Sequence, residues 1–180
     1  MKKIHKHKIL PVLLEIKPSK IITGEIGLFA AQSIKKDTII AETKKFVEIF
    51  HPWADYKRLD SVTKNKIRNF CIQTKEGFYT PDDFNWLPIP WNMNHSCDYN
   101  VGFDKDENFI TTRSVRKGEE LVFDYGMGIY DPKFSLQCKC GSVNCRKTIT
   151  GNDWKDPIYR EKNKKYFSRR LLNDISNIKS

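Results

Sequence analysis

Three short segments of the chain hold the residue types that could carry out chemistry. Residues 94–97 (Asn-His-Ser-Cys) form a compact polar cluster after a Trp-rich apolar stretch at 86–93. Residues 120–126 (Glu-Leu-Val-Phe-Asp-Tyr-Gly) form an apolar, strand-like run that ends in an acid, an aromatic hydroxyl and a glycine. A third segment, at 138–145, contains three cysteines within eight residues. Amide, imidazole, phenol and thiol groups of this kind can bind a ligand, orient a reactant or hold a metal.

Cys138, Cys140 and Cys145 favour a metal site over a disulfide framework. The chain has five cysteines, an odd number, and the clustering of three in one loop is typical of zinc binding. Zinc binds thiolates tetrahedrally, and a structural site is closed by four protein ligands. This loop supplies three of them, with Gly141 easing its turn, so a fourth must come from elsewhere in the chain. Metal binding should couple to folding here; the alternative is that these cysteines bind no metal.

Taken together, the three segments resemble the SET-domain protein lysine methyltransferases. That family carries an Asn-His-Ser-Cys tetrapeptide, a Glu-Leu-x-Phe-Asp-Tyr-Gly run and a post-SET zinc motif of clustered cysteines, in this order. The resemblance covers about residues 21–150. It implies a mainly β fold with a few helices: the SET-domain β-clip architecture of small sheets, with a C-terminal pseudoknot, a post-SET zinc loop and a C-terminal helix. The pseudoknot would bring the tetrapeptide and Tyr125 together.

The resemblance also predicts four regions in the chain. A basic N-terminal segment covers residues 1–20, and the SET domain covers 21–134. The post-SET zinc-binding segment follows at 135–150, and a C-terminal helical extension occupies 151–180.

The reaction implied by the resemblance is methyl transfer from S-adenosylmethionine to a lysine side-chain nitrogen. The amine must be neutral to attack, although a free lysine has a pKa of about 10.4, and a narrow apolar channel disfavours the ammonium by desolvation. Tyr125 matches the family's catalytic tyrosine, which implies that it would contact the cofactor with its hydroxyl toward the methyl. An orienting and electrostatic role is favoured over a literal base, because tyrosine has a pKa of about 10. Phe123 matches the position that limits the number of methyl groups, and Phe there implies di- or trimethylation.

The resemblance further implies which residues contact the cofactor. Asn94 and His95 match residues that hold its amino-acid and adenine parts through the side-chain amide and the backbone. Ile26, Gly27 and Leu28 match the family's glycine-containing strand, where the backbone can approach a ligand closely because glycine has no side chain. A structural histidine is the alternative interpretation for His95, and a plain hairpin turn is the alternative for the strand.

The fourth zinc ligand also follows from the resemblance. Cys97 of the tetrapeptide would join Cys138, Cys140 and Cys145 in one structural zinc site. Cys71 then remains an ordinary buried thiol, because its neighbours in the sequence are apolar.

Some positions depart from the family pattern. Glu25 stands where the first glycine is expected, Gly24 lies one residue early, and Tyr99 replaces the usual proline before Asn100. Whether Gly24 takes part in cofactor binding therefore stays open. Asp124 is interpreted as structural.

Hydrophobic patterning predicts the elements that position these segments. Strand, turn and strand are expected at 34–40, another strand at 45–50, and a hairpin at 70–79. Residues 55–70 have the spacing of a helix. Apolar residues three and four apart predict an amphipathic C-terminal helix from about residue 160. Its basic face is interpreted as solvated, with contact to an acidic partner as the alternative.

Composition narrows the class of protein and the kind of partner. A chain of 180 residues suits about one domain, and 39% hydrophobic residues can form a real core. The net charge of +10 favours an acidic partner such as nucleic acid, or serves solubility alone. A zinc-stabilised basic module that binds chromatin or nucleic acid without catalysis is therefore the alternative function. A doubly wound methyltransferase is disfavoured, since the chain lacks a glycine-rich strand–helix opening.

The N-terminal residues and the expected location follow from the same reasoning. Residues 1–8 predict a flexible basic arm, and residues 11–16 a short edge strand. The apolar run at 9–14 is too short for a secretory signal, and no run approaches the roughly 18 residues of a membrane helix. An intracellular, reducing compartment is expected: the nucleus or chromosome for a eukaryotic protein or one delivered into a host, and otherwise the cytoplasm.

The expected partner is a protein that carries the target lysine. A histone or nucleosome is favoured, other basic proteins stay open, nucleic acid contact is electrostatic, and no membrane partner is expected. The sequence leaves the oligomeric state open. A basic enzyme that acts on a basic tail would need a locally acidic groove, or DNA that attracts it.

Overall fold

The computed structural model describes residues 12–178, so the basic arm predicted at residues 1–8 lies outside the described part. Helices are α1 (Trp53–Tyr56), α2 (Ser61–Phe70), α3 (Pro157–Asn163) and α4 (Arg169–Ile178). Strands are, in chain order, β1 (Leu14–Pro18), β2 (Ile26–Ala30), β3 (Ile39–Ala41), β4 (Glu48–Pro52), β5 (Ile72–Gln73), β6 (Gly77–Pro81), β7 (Asn94–His95), β8 (Val101–Phe103), β9 (Phe109–Thr111), β10 (Glu120–Phe123), β11 (Ser135–Gln137) and β12 (Thr148–Thr150). The prediction of a mainly β fold with a few helices is confirmed.

The largest sheet is organised around β10. Its order is β1-β2-β10-β8-β9-β3, and β7 pairs with β10 as a seventh strand. β10 is antiparallel to β2 along its first half and then runs parallel to β7 and β8. Phe123, the last residue of β10, is consequently in register with both His95 and Val101. The threading of a pseudoknot stays a prediction, but the tetrapeptide and the end of β10 are neighbours as expected.

Two smaller sheets flank the large one. β4, β6 and β5 form an antiparallel sheet, and β11 pairs with β12 as a hairpin whose connection holds the clustered cysteines. Against the β4-β6-β5 sheet lies a second core of Ile67, Cys71, Phe78 and Trp91. The burial predicted for Cys71 is observed. Core packing is also observed for Trp91 but not for Trp86, which is 80% exposed.

The internal helix is shorter than the predicted span of 55–70. A break separates α1 from α2, and Asp60 caps α2 by accepting hydrogen bonds from the N–H groups of Val62 and Thr63. An N-cap residue has extended backbone geometry, and Asp60 has φ −70° and ψ 169°. Apolar spacing alone does not detect this interruption, because the apolar residues continue on the same side.

The prediction of a C-terminal helix is confirmed, but a single helix from residue 160 is wrong. α3 ends at Asn163, a 3-10 turn follows, and α4 begins at Arg169. The break places Phe167, only 2% exposed, in the main core. Ser168 stabilises the new direction, since its N–H donates to the Met127 carbonyl and its hydroxyl accepts from the Leu171 N–H.

Helix length bears on a membrane role. Within residues 12–178, no helix is long and apolar enough to cross a membrane.

Candidate functional site

A narrow apolar pocket of about 70 Å³ lies at the C-terminal end of β10. Phe123 and Tyr125 line it together with Trp91, Met93 and Phe103. Phe123 packs edge-on against Phe103, with 5.2 Å between ring centroids, and lies 6.4 Å from the Tyr125 ring. Most of the lining side chains are apolar, so a side chain that entered this pocket would exchange part of its contact with water for apolar contacts. Such a pocket disfavours an ammonium group and favours the neutral amine.

The hydroxyl of Tyr125 is held in a defined orientation. It donates a hydrogen bond to the Met93 carbonyl over 3.0 Å. Burial raises the pKa of Tyr125 to about 12. The phenol therefore stays protonated at neutral pH, and its proton is already committed to Met93. What remains for a ligand is the oxygen's lone pairs, which suits an electrostatic role and not that of a base.

His95 connects Tyr125 to the thiol cluster. The Tyr125 N–H donates to His95 Nδ1 over 3.1 Å, and His95 Nε2 lies 3.5 Å from Cys97 Sγ. Burial lowers the pKa of His95 to about 4, so the imidazole is neutral at pH 7. Because Nδ1 accepts a hydrogen bond, Nε2 carries the proton and can donate it toward the sulfur. The side chain of His95 is thus structurally satisfied; a contact of its backbone with the cofactor stays a prediction.

Asn94 lies beside the strand that was expected to contact the cofactor. Its Nδ2 donates to the Ile26 carbonyl over 2.8 Å and to Glu120 Oε1 over 3.0 Å. A side chain at Gly27 would collide with that carboxylate, because a Cβ built there lies 2.3 Å from Glu120 Oε1. Asn94, Ile26 and Gly27 are therefore brought together. Leu28 differs: it is fully buried and paired on both sides, with Ile16 and with Leu121.

The residues around Asn94 have chemistry that fits S-adenosylmethionine. Within residues 12–178, the Asn94 side-chain oxygen accepts no hydrogen bond, so it is available to an amine donor. Ile26 is 48% exposed next to it and offers an apolar surface. Gly24 has φ +87°, which favours glycine, and a Cβ built there meets nothing within 4 Å. Its conformation is that of a turn.

Glu120 is a buried acid that sequence reasoning missed. It is 6% exposed and accepts hydrogen bonds from the Ser19 hydroxyl and the Lys20 N–H, each over 2.8 Å. Together with the bond from Asn94, these contacts join the chain before β2 to the tetrapeptide. The one available signal was an acid at the start of an otherwise apolar strand.

The four predicted zinc ligands come together. Cys97, Cys138, Cys140 and Cys145 place their sulfur atoms all within 4.8 Å of one another. Cys97 and Cys138 are 3.9 Å apart, far longer than a disulfide. A tetrahedron with Zn–S bonds of about 2.3 Å has edges of about 3.8 Å, so this cluster fits zinc.

Hydrogen bonds around the cluster suit thiolates. Backbone N–H groups are directed at three of the sulfurs: Arg146 N at Cys97, Cys140 N at Cys138, and Lys147 N at Cys145, over 3.3, 3.5 and 3.4 Å. Burial acts to raise the pKa of the Cys140 thiol, but hydrogen bonds at its sulfur, that with the Ser142 hydroxyl foremost, together outweigh burial and the pKa falls to about 6. Burial raises the pKa of the Cys97 and Cys138 thiols, so these two need the charge of a bound metal to hold them as thiolates.

Arg146 is a second residue that sequence reasoning missed. It follows the last cysteine and donates two hydrogen bonds of 2.7 Å to Asp124, the fully buried neighbour of Tyr125. Burial acts to lower the pKa of Arg146, but the bonds to Asp124 raise it overall. Its guanidinium also stacks 4.5 Å from the Tyr159 ring centroid and contacts Asp153. This pair fastens the cysteine loop to the end of β10.

Arg146→Gln should lower the free energy of unfolding by about 3 kcal/mol, because it leaves the buried Asp124 without its partner. Denaturant titration monitored by Trp fluorescence measures this change. Arg113→Gln is the matched control, since Arg113 pairs with Glu119 at the surface and such pairs contribute about 1 kcal/mol or less. Equal effects of the two substitutions would show that the Arg146 pair does not fasten the loop.

Comparison with known proteins agrees with this arrangement. The SET domain family model matches residues 25–126. Histone-lysine N-methyltransferase 2D of Homo sapiens is 42% identical over 141 residues, which covers 68% of this chain and 2% of that protein. Histone-lysine N-methyltransferase trr of Drosophila melanogaster is 40% identical over 129 residues, covering 68% of this chain and 5% of its own length. Histone-lysine N-methyltransferase SUV39H1 of Xenopus laevis is 33% identical over 113 residues, which covers 44% of this chain and 27% of that protein.

The chain thus spans a small fraction of the length of these relatives. The matched segment contains the tetrapeptide, β10 and most of the residues that line the apolar pocket, and it makes up more than half of the 180 residues. The chain therefore belongs to the SET domain family.

Proposed function

We propose that this chain is an S-adenosylmethionine-dependent protein lysine N-methyltransferase. The observation that carries the proposal is the Tyr125 phenol, held by Met93 with its lone pairs free, at a narrow pocket walled by Phe123. The three relatives described above are all histone-lysine N-methyltransferases, which supports this reaction. A binding module without catalysis would have no use for a phenol held in this way.

Each part of the site has a task in this reaction. The cofactor, when bound, supplies a methyl group on a positively charged sulfur. Asn94 and the backbone at Ile26 and Gly27 hold it, through the amide oxygen and the apolar surface beside it. The apolar pocket admits the lysine side chain and favours its neutral, nucleophilic amine by desolvation. Tyr125 directs its oxygen toward the electron-poor methyl and orients the amine, so catalysis is mostly positioning and electrostatics.

The zinc has a structural task in this proposal. Cys97 lies two residues after His95, and the other three cysteines lie in the β11–β12 connection. A metal held by all four would join that hairpin to the segment that carries Asn94 and His95. It would also keep Arg146 placed against Asp124.

The assay that tests the function uses labelled S-adenosylmethionine with core histones, nucleosomes and a cell lysate. Label on a lysine, located by mass spectrometry, would support the enzyme and name its substrate. Isothermal titration calorimetry of the cofactor is run in parallel, with Asn94→Ala expected to weaken binding roughly tenfold through loss of one polar contact. No label and no cofactor binding would leave the zinc-stabilised basic module, for which the net charge of +10 is the supporting observation.

The number of methyl groups should depend on Phe123. Phe123→Tyr adds a hydroxyl that can hydrogen-bond the amine or a water and restrict its rotation. We expect a product distribution dominated by monomethyl-lysine, where the unaltered chain yields di- or trimethyl-lysine. Mass spectrometry of the product over time measures the distribution. Phe109→Tyr is a suitable control, since Phe109 packs 6.0 Å from Phe123 and also lines the pocket. An unchanged distribution for Phe123→Tyr would show that other residues set the limit.

A further inference from the structure

A larger groove continues from the apolar pocket. Arg68 and Asn69 line both the pocket and a second cavity of about 810 Å³. Its lining includes the half-buried Trp53 and Tyr56 of α1 and residues 131–136, which lead into the cysteine hairpin and include the start of β11. We call this cavity the basic groove. A protein segment whose lysine enters the apolar pocket would pass directly into it.

The basic groove has an uncompensated positive charge. Lys57, Arg68, Lys75 and Lys133 line it, all of them exposed, against one carboxylate, Asp131. Asp131 is 7% exposed and its Oδ1 already accepts the Lys133 N–H over 3.0 Å. None of the four cations forms an ion pair with any residue between 12 and 178. Arg68 donates to the neutral Tyr56 hydroxyl over 2.8 Å, which leaves its charge in place, so the groove has four positive charges against one carboxylate.

A separate cavity of about 340 Å³ shares Phe103 and Phe109 with the apolar pocket and has three carboxylates, each with a contact to the C-terminal part of the chain. Glu48 pairs with Arg170 over 2.6 Å, and Glu107 accepts the Arg169 N–H over 3.1 Å. Asp106 lies 3.9 Å from the Arg169 guanidinium. With Lys44 and Arg170 also lining it, this cavity carries nearly balanced charge, whereas the basic groove carries an excess of positive charge.

We propose that the basic groove binds an acidic stretch of the substrate protein that flanks the target lysine. This inference rests on the proposed methyltransferase function, because that reaction delivers a lysine to the adjoining pocket. Carboxylates would meet Lys57, Lys75 and Lys133 across the groove, while Trp53 and Tyr56 contact the apolar parts of the segment. A flank of lysines and arginines would meet like charge instead. The occupant is a protein segment and not free nucleic acid, since it must carry the lysine.

Three fluorescein-labelled peptides test this preference. They share a central lysine and differ only in its flanks, which carry Glu, Gln or Lys. We expect the Glu peptide to bind roughly tenfold more tightly than the Gln peptide in fluorescence anisotropy, as three exposed ion pairs would give. The Lys peptide should bind more weakly than the Gln peptide, and added salt should reduce the differences. Methylation of the same peptides should follow the same order.

Two triple variants that remove the same charge distinguish the effect of the basic groove from the effect of the net charge. The groove variant combines Lys57→Gln, Lys75→Gln and Lys133→Gln. In this variant the affinities for the Glu and Gln peptides should differ by no more than about twofold. The control combines Lys35→Gln, Lys36→Gln and Lys162→Gln, which remove the same charge from exposed positions that do not line the groove. The control should retain the preference. Equal losses in both variants, or equal binding of the Lys and Glu peptides, would overturn the proposal.

Two further outcomes distinguish this inference from the proposed function. Duplex DNA is tested for binding to the unaltered chain and to the groove variant. If DNA binds the unaltered chain but not the groove variant, and the Glu peptide binds no better than the Gln peptide, the groove binds nucleic acid and the proposal fails. Methylation of all three peptides at equal rates would retain the methyltransferase and reject the acidic flank. Tight, groove-dependent binding of the Glu peptide, with no methylation of any peptide or lysate protein, would reject the methyltransferase.

Discussion

Tyr125→Phe is expected to lower the rate of methyl transfer by about a hundredfold or more, with the cofactor still bound. The substitution removes the phenol oxygen and keeps the aromatic ring of a residue that lines the pocket. It also removes the hydrogen bond to Met93, which contributes about 1 kcal/mol to stability. The fold should therefore survive. Single-turnover kinetics with labelled cofactor measures the rate, and calorimetry checks that cofactor binding changes little.

Tyr99→Phe is the matched control for this prediction. The Tyr99 hydroxyl donates a hydrogen bond to Asn163 over 2.7 Å, and burial raises the pKa of Tyr99 to about 12. Tyr99→Phe therefore loses a hydrogen bond comparable to the one that Tyr125→Phe loses. Tyr99 does not line the apolar pocket. The methyl-transfer rate of Tyr99→Phe should stay within about twofold of that of the unaltered chain. Its melting temperature should fall by about as much as that of Tyr125→Phe. A Tyr125→Phe rate as high as that of the control would reject the electrostatic role of the phenol.

The second large effect is expected from loss of zinc. Cys140→Ser, or treatment with a strong chelator, should release the metal, lower the melting temperature by roughly 10 °C or more, and abolish methyl transfer. The effect should be large because the cysteine hairpin that the metal holds is too small to be stable alone. β11 and β12 form a two-stranded hairpin, and such hairpins are marginal on their own. Without the metal, Arg146 would lose its placement against Asp124, and the end of β10 would loosen.

Zinc content by mass spectrometry and thermal melting test this prediction together. The unaltered chain should contain one zinc per molecule. Cys71→Ala is the control: Cys71 is 3% exposed in the second core and lies outside the cluster, so zinc content should not change. Absence of zinc from the purified chain, or full zinc content in Cys140→Ser, would contradict a four-thiolate site.

Local patterns were sufficient for part of the site. The thiols of the 138–145 loop, the phenol that ends β10 and the tetrapeptide are each recognisable in a few consecutive residues. Their residue types carry the chemistry wherever they lie. The strands and the hairpin at 70–79 were also predictable, because alternation of apolar residues and turn residues are local properties.

Other parts of the site depend on residues that are distant in the sequence. Glu120 bonds to Ser19 across 101 positions, and Arg146 bonds to Asp124 across 22. An arginine after a cysteine and an acid in a strand have no local signal that names their partners. Only the packing of β2, β10 and the cysteine hairpin brings them into contact. The break between α3 and α4 has the same origin, since burial of Phe167 outweighs the continuation of the helix.

The sequence by itself determined the family, the mainly β class, the four thiols and the identity of the phenol, because these depend on residue types and short spacings. The tertiary structure alone decided that the Tyr125 proton is bound by Met93, that Arg146 joins the cysteine loop to Asp124, and that unpaired cations line the groove beside the apolar pocket. These features depend on where distant side chains meet and on which charges find partners. Both are set by the packing of the whole chain and not by any one segment.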